Sequence, residues 1–161
     1  MRGLIAAVVA FLVVSGCGAS GESFRAVGTK PARDQALLYV YRPSTVIGIA
    51  NADVPFVHLD GRRLGRIRIG GYLRIPVAAG RRRLTTTESL LGNDTGKTRG
   101  EAVVTAPAGS TLYLRYTEGF SSFVPIPLPH GALVVSSGKY RFEAVPEKEA
   151  LSELATTQAI D

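Results

Sequence analysis

The chain has one cysteine, one methionine, two histidines and no tryptophan. A single cysteine excludes an intrachain disulfide framework, so the folded part must be held by its core alone. It also excludes cysteine-rich zinc sites. His58 and His130 are too few to supply the usual three or four zinc ligands. His58 and Asp60 have the spacing of side chains that share a strand face, the geometry of a metal pair or an acid–base pair. With no third ligand nearby, His58 reads as a structural or wet-face histidine, and His130 as exposed. No Gly-x-Ser-x-Gly occurs. Ser121, Ser122, Ser136 and Ser137 fall in turns or edges, where serine is ordinary. Gly92 and Gly96-Lys97-Thr98 are separated by three residues, where a phosphate loop needs four, and a strand pattern follows instead of a helix. The carboxylates are scattered, so no glycosidase-like pair can be named. The expectation is a chain without catalytic residues, resident metal or cofactor, and not an enzyme.

Long apolar runs are equally scarce, and the one present is at the start. Arg2 precedes an unbroken apolar stretch over residues 4–14. That suits a signal-peptide core and is too short to span a bilayer as a helix. Val14-Ser15-Gly16-Cys17 then resembles the lipobox of bacterial lipoprotein signal peptides, in which an aliphatic and two small residues precede an obligatory cysteine. Small residues let an extended backbone enter a peptidase, and the thiol takes a diacylglyceryl group as a thioether. The lone cysteine stands where that motif needs it. The resemblance implies cleavage before Cys17, lipidation on it and attachment to a membrane. Each buried methylene is worth about 0.8 kcal/mol and stable anchoring takes two chains, a condition that a diacylglyceryl cysteine meets. Gly18 in place of Asp implies, by the same resemblance, the periplasmic face of the outer membrane if the host has two membranes. Residues 1–16 are expected to be the signal peptide. Residues 17–33, rich in Gly, Ser, Ala and charge with a lone Phe24, are expected to be a lipidated flexible tether. Residues 34–161 are enough for one domain with a proper core.

The periodicity of that domain is that of strands. Residues 35–42, QALLYVYR, are β-rich and closed by Pro43. Residues 54–60 end at Asp60-Gly61, a strong turn signal. In residues 62–69, Ile67 and Ile69 alternate with Arg66 and Arg68. Gly70-Gly71 is a turn, and residues 72–77 put Leu73, Ile75 and Val77 on one face and Arg74 on the other. Residues 81–90 form a further strand, and residues 91–99 read as a polar loop. Residues 100–106 and 111–117 are two more strands around Pro107-Ala108-Gly109-Ser110. Residues 119–131 are proline-rich, suited to packing across an open sandwich end or to serving as an extended recognition segment. Strands over 132–136 and 139–145 follow. Pro146 opens a short helix with glutamates in its first turn, favourable to the macrodipole. Short strands with Gly and Pro turns predict an all-β, antiparallel β-sandwich with a short C-terminal helix.

ALLYVYRPS at residues 36–44 resembles the opening of a bacterial lipoprotein family called domain of unknown function 2846. So do VHLDGRRLGRIRIGGYLRIPVAAGRRRL, APAGSTLYLRY and the closing VPEKEALSEL. The resemblance covers roughly residues 36–154. The pattern of Asp60-Gly61, Gly65 and Ala79-Gly80 also resembles the PEGA-type sandwich repeat of bacterial surface proteins. Both resemblances imply a transthyretin-like or immunoglobulin-like sandwich, and neither implies a known catalytic activity. The usual proline before the second glycine is Ala79 here.

Arginine is the unusual feature. Net charge is +6, arginines greatly outnumber lysines, and Arg62, Arg63, Arg66, Arg68, Arg74, Arg81, Arg82 and Arg83 crowd into one stretch. If those strands form a meander, Arg66, Arg68 and Arg74 share one sheet face, flanked by Arg62, Arg81 and Arg83. That face is either a solvated surface protected at its edge by charge, or a platform for anionic lipid or polymer of the envelope, since guanidinium binds phosphate and carboxylate bidentately. Nucleic acid is not an expected partner outside the cytoplasm. The leading expectation is a non-catalytic envelope lipoprotein that binds or organises something. The alternative is an assembly accessory of an envelope secretion or transport complex.

Overall fold

The computed structural model describes residues 21–26, 30–44, 54–118, 126–127, 133–138 and 140–160. The expected signal peptide, Cys17 and His130 lie outside the described residues, as does the proline-rich stretch apart from Ile126 and Pro127.

The strand β1 (Gln35–Arg42) is buried at every residue after the first. Ala36, Leu38 and Val40 face one way; Leu37, Tyr39 and Tyr41 face the other, and each set joins its own apolar cluster. A strand reads as near-continuously apolar when both faces are covered. β1 is central in a five-stranded sheet, between β4 (Gly71–Ala78) and β7 (Thr111–Glu118), with β10 (Tyr140–Val145) and β11 (Gln158–Ala159) at the edges. One face packs on a second sheet. The other carries the helix α1 (Glu147–Leu154), which buries Ala150 and Leu154 against Tyr39, Tyr41 and Tyr113.

The second sheet has six strands in the order β3 (Arg62–Arg66), β2 (Phe56–Leu59), β5 (Gly80–Leu90), β6 (Asn93–Ala106), β9 (Leu133–Gly138) and β8 (Ile126–Pro127). Val57, Leu84, Ala102 and Val104 point inward to meet Leu38, Leu73, Ile75 and Leu114 of the first sheet. The protein is therefore a two-sheet β-sandwich with one short helix near its C-terminus. Its ladders are not all antiparallel: β1 pairs with β7, and β4 with β11, in parallel.

Four sequence expectations change. The meander fails because β3 and β4 belong to different sheets, and β5 returns to pair with β2 and β6. Gly70-Gly71 is a sheet-to-sheet crossing. Ile67 is fully buried between the sheets, its N–H donating to Pro55 O beside β2, while the Gly70 N–H already donates to Arg42 O at the end of β1, in the other sheet. The strand expected over 62–69 consequently stops at Arg66. The expected polar loop over 91–99 is instead the start of β6. A two-residue turn at Leu91-Gly92, with both φ values positive at 49° and 84°, joins it to β5. The expected tether contains a docked segment: Ser23 bridges to Gln158, and Phe24 packs edge-on against Tyr39 and Tyr72. Gly21 lies so close to Ala159 that an added Cβ would sit 2.3 Å from its carbonyl oxygen.

Candidate functional site

The outer face of the six-stranded sheet gathers the polar chemistry. β2 and β3 are joined by Asp60-Gly61, both left-handed, as a two-residue hairpin turn requires. Their register then slips at Val57/His58, so that Val57 opposes Gly65 and His58 opposes Arg63. The extra residue, Leu64, packs toward the core. A bulge of this kind reverses the alternation beyond it. Arg63 and Arg66, three residues apart, therefore reach the same aromatic side chain, and their guanidinium carbons lie 5.3 and 5.4 Å from the centre of the Phe56 ring. Arg66 also donates to Val54 O and, from Nη2, to Ser89 Oγ at 3.3 Å.

Beside them stands His58. Its Nε2 lies 2.9 Å from Asp94 Oδ2 and 3.1 Å from Thr87 Oγ1. The other Asp94 oxygen accepts the Gly96 N–H at 2.9 Å. Burial pushes the Asp94 pKa up, but the hydrogen bonds from Thr87, Gly96 and His58 outweigh it and hold the carboxyl below its usual value. The partner of His58 is thus Asp94 and not Asp60. Asp60 sits in the turn at φ 50°, where strand alternation has ended, and its carboxylate takes the Arg83 N–H and the Arg82 guanidinium. Among the described residues, no group of three His, Cys, Asp or Glu is arranged to hold a metal ion.

The six arginines singled out from the sequence do not converge. Arg66 lies on the outer face of the six-stranded sheet and Arg68 in the crossing that follows it. Arg74 is opposite Tyr39 on the helix-bearing side of the other sheet. Arg62 and Arg81 are at the opposite end of the sandwich, by the Asp60-Gly61 turn and the start of β5. Arg83 is engaged by Glu101 through Nε–Oε1 at 2.8 Å and Nη2–Oε2 at 3.0 Å, and its bond to Glu101 raises its pKa. Among the described residues, Arg62, Arg63, Arg66, Arg68, Arg74 and Arg81 form no ion pair.

Sequence reasoning missed three groupings. Arg63 and Phe56 were unremarkable without the bulge. Asp94 is 36 positions from His58. The third is Arg115, on the outer face of the five-stranded sheet. It meets Glu149 and Glu153 of α1 at 3.0 and 2.5 Å and Glu143 of β10 at 3.3 Å. The only signal was the alternation of TLYLRYT, which puts Tyr113 and Arg115 on one face.

The outer face of the six-stranded sheet is thus basic and backed by an aromatic ring. A family model described as "Protein of unknown function (DUF2846)" matches residues 32–132, and the chain belongs to that family. The match covers β1 through β8 and leaves α1 outside it. Neither the search of curated proteins nor that of solved structures returned a match.

Proposed function

We propose that this chain is a lipid-anchored envelope protein and a non-catalytic binding module, with the outer face around Phe56, Arg63 and Arg66 as its contact for anionic groups. The carrying observation is that pair of guanidiniums, held on one aromatic ring and facing no carboxylate among the described residues. A cation over a ring face keeps its charge while its hydration is reduced, which suits it to a phosphate or carboxylate brought from outside. The apolar run over residues 4–14 and the Ser15-Gly16-Cys17 sequence supply the anchor.

Two measurements test this reading. Growth with a palmitate analogue should label the chain, and Cys17→Ala should lose the label; a labelled mutant refutes the anchor. The chain lacking residues 1–17 should bind phosphatidylglycerol vesicles at low salt. Binding should fade as the screening length falls from about 10 Å at 0.1 M to about 3 Å at 1 M. Arg63→Gln with Arg66→Gln should weaken it with little loss of stability. Equal binding by mutant and wild type removes this face from the proposal.

A further inference from the structure

The turn between β5 and β6 carries the two large apolar side chains left in solvent among the described residues, Leu90 at 63% and Leu91 at 95% exposure. Leu91 also holds φ at 49°. A bulky side chain in the left-handed region is an outlier. Two-residue hairpins of this type take Asn, Asp or Gly at that position. A leucine there is unfavourable for the turn and also for its contact with water. Strain kept at an exposed position points to a use.

We propose that the Leu90-Leu91 tip dips into the surface of the membrane that carries the lipid anchor. The orientation rests on the anchor reading above. Cys17 is four residues before Gly21, a covalent reach of at most about 14 Å. Gly21 is fixed beside Ala159, at the end of the sandwich where β4 and β11 begin. The β5–β6 tip projects from that same end: Phe56 at the start of β2 pairs with Thr87, and the hairpin runs on to Leu91. An anchor attached there brings this end to the bilayer. Charge agrees, since Arg66 Nη1 lies 3.9 Å from where a Cβ of Gly92 would sit. Lys97 and Arg68 are near the same end, and neither forms an ion pair among the described residues. Glu88 and Asp94 of the same hairpin are taken up by Arg99 and His58, so two leucines beneath three cations without carboxylate partners match an acyl interior beneath phosphate headgroups.

The test uses the full chain in membranes of the cells that make it. Cysteine is introduced singly as Leu91→Cys, as Leu90→Cys in case position 91 does not tolerate it, and as Ala108→Cys at the opposite end. Each is treated with a membrane-impermeant maleimide, or labelled with an environment-sensitive fluorophore and exposed to a quencher carried on lipid tails. Burying one leucine is worth about one to two powers of ten in an equilibrium constant. Position 90 or 91 should therefore react with the maleimide at least about tenfold more slowly than position 108, and its fluorophore should be quenched from the lipid. Equal reactivity at both ends overturns the proposal. So does protection without lipid quenching, which would mean that a protein covers the tip. Labelling of Cys17 in the chain without introduced cysteines would show that the anchor reading has failed. The tip is then tested alone with Cys17→Ala added, by mixing the fluorophore-labelled chain with phosphatidylglycerol vesicles that contain the tail-borne quencher: quenching upholds it and no quenching overturns it.

Discussion

Replacing Arg115 by Met removes one cation and leaves three carboxylates facing its place. Arg115 is 20% exposed in its side chain, Glu153 26% and Glu149 52%. Burial disfavours the charged guanidinium, but its bonds to Glu153 and Glu143 overcome this and raise its pKa. Glu153 also accepts the Tyr41 hydroxyl at 2.6 Å, and Glu147 accepts that of Tyr113 at 3.2 Å. The cluster thus fastens α1 to the sheet at two points beyond its apolar contacts. Exposed ion pairs are worth about 0–1 kcal/mol, and breaking a buried one costs about 3–5 kcal/mol. A half-buried cation with three partners lies between, so Arg115→Met should cost about 2–3 kcal/mol in urea unfolding followed by far-ultraviolet circular dichroism. Glu149→Gln, at the exposed rim, should cost under about 1 kcal/mol. A double-mutant cycle of Arg115→Met with Glu153→Gln should return a coupling of about 1–2 kcal/mol. Hydrogen exchange in α1 should speed up more than in β5 or β6, because the helix loses its fastening while the sheets keep theirs. A loss below about 0.5 kcal/mol for Arg115→Met would refute the reasoning, as would equal losses for Arg115→Met and Glu149→Gln.

Leu91→Asn should raise stability by about 1 kcal/mol, since Asn tolerates the left-handed turn that Leu91 occupies; an unchanged or lower urea midpoint contradicts the strain. Gly100→Ala should cost about 2–3 kcal/mol, because its Cβ would meet Tyr140 O at 2.3 Å and the two sheets would have to part there; a neutral urea midpoint contradicts that packing. Burial first, and then Glu153 for Tyr41 and Glu147 for Tyr113, hold both phenols protonated above the ordinary tyrosine value of about 10. A raised pKa in the folded state means that this stability is present below about pH 10 and is lost as pH climbs from there toward the folded values. The urea midpoint should fall over that range, and a flat profile up to about pH 12 would contradict it.

What was legible in the sequence follows from which forces are local. Residues 35–42 are recognisable as a strand because a β-rich run closed by Pro43 is written into consecutive positions, and residues 72–77 because alternation after a glycine turn is. Phe142 and Ala144 repeat that pattern in β10, and Glu147 and Glu149 mark the first turn of α1. Residues 93–99 gave no such signal. They extend past the core, most of them exposed, and are held to β5 by backbone pairing such as Ser89 with Asp94, which leaves no apolar pattern. The crossing at Ile67–Gly70 was misread for a related reason. A glycine pair looks the same whether the chain turns within a sheet or passes between two, and the buried Ile67 that distinguishes the cases was equally compatible with a half-buried strand. The candidate site depended on register. One extra residue at Leu64 decides where Arg63 points, and no pattern in RRLGRIRI announces it.

The arginines carry this further, because identical side chains have ended in opposite circumstances. Arg115 and Arg66 are both strand arginines on the outer face of a sheet. Arg115 lies across from Tyr41 and Glu143, with α1 folded over it, and three carboxylates consume its charge in holding the helix. Arg66 lies across from Phe56, with Ser89 and Val54 O as its polar neighbours, and its charge remains available. Net charge cannot separate these cases, since both contribute one unit to it. The separating quantity is the number of carboxylates that the topology delivers to each face. Several glutamates arrive beside Arg115 because β10 and α1 follow one another across that side of the sheet, whereas β2, the strand paired with β3 at the sheet edge, brings an aromatic ring. A basic composition therefore leaves charge unspent only where the fold withholds acidic partners. Among the described residues, Arg63 and Arg66 beside Phe56 meet that condition, as do Arg62, Arg68, Arg74 and Arg81.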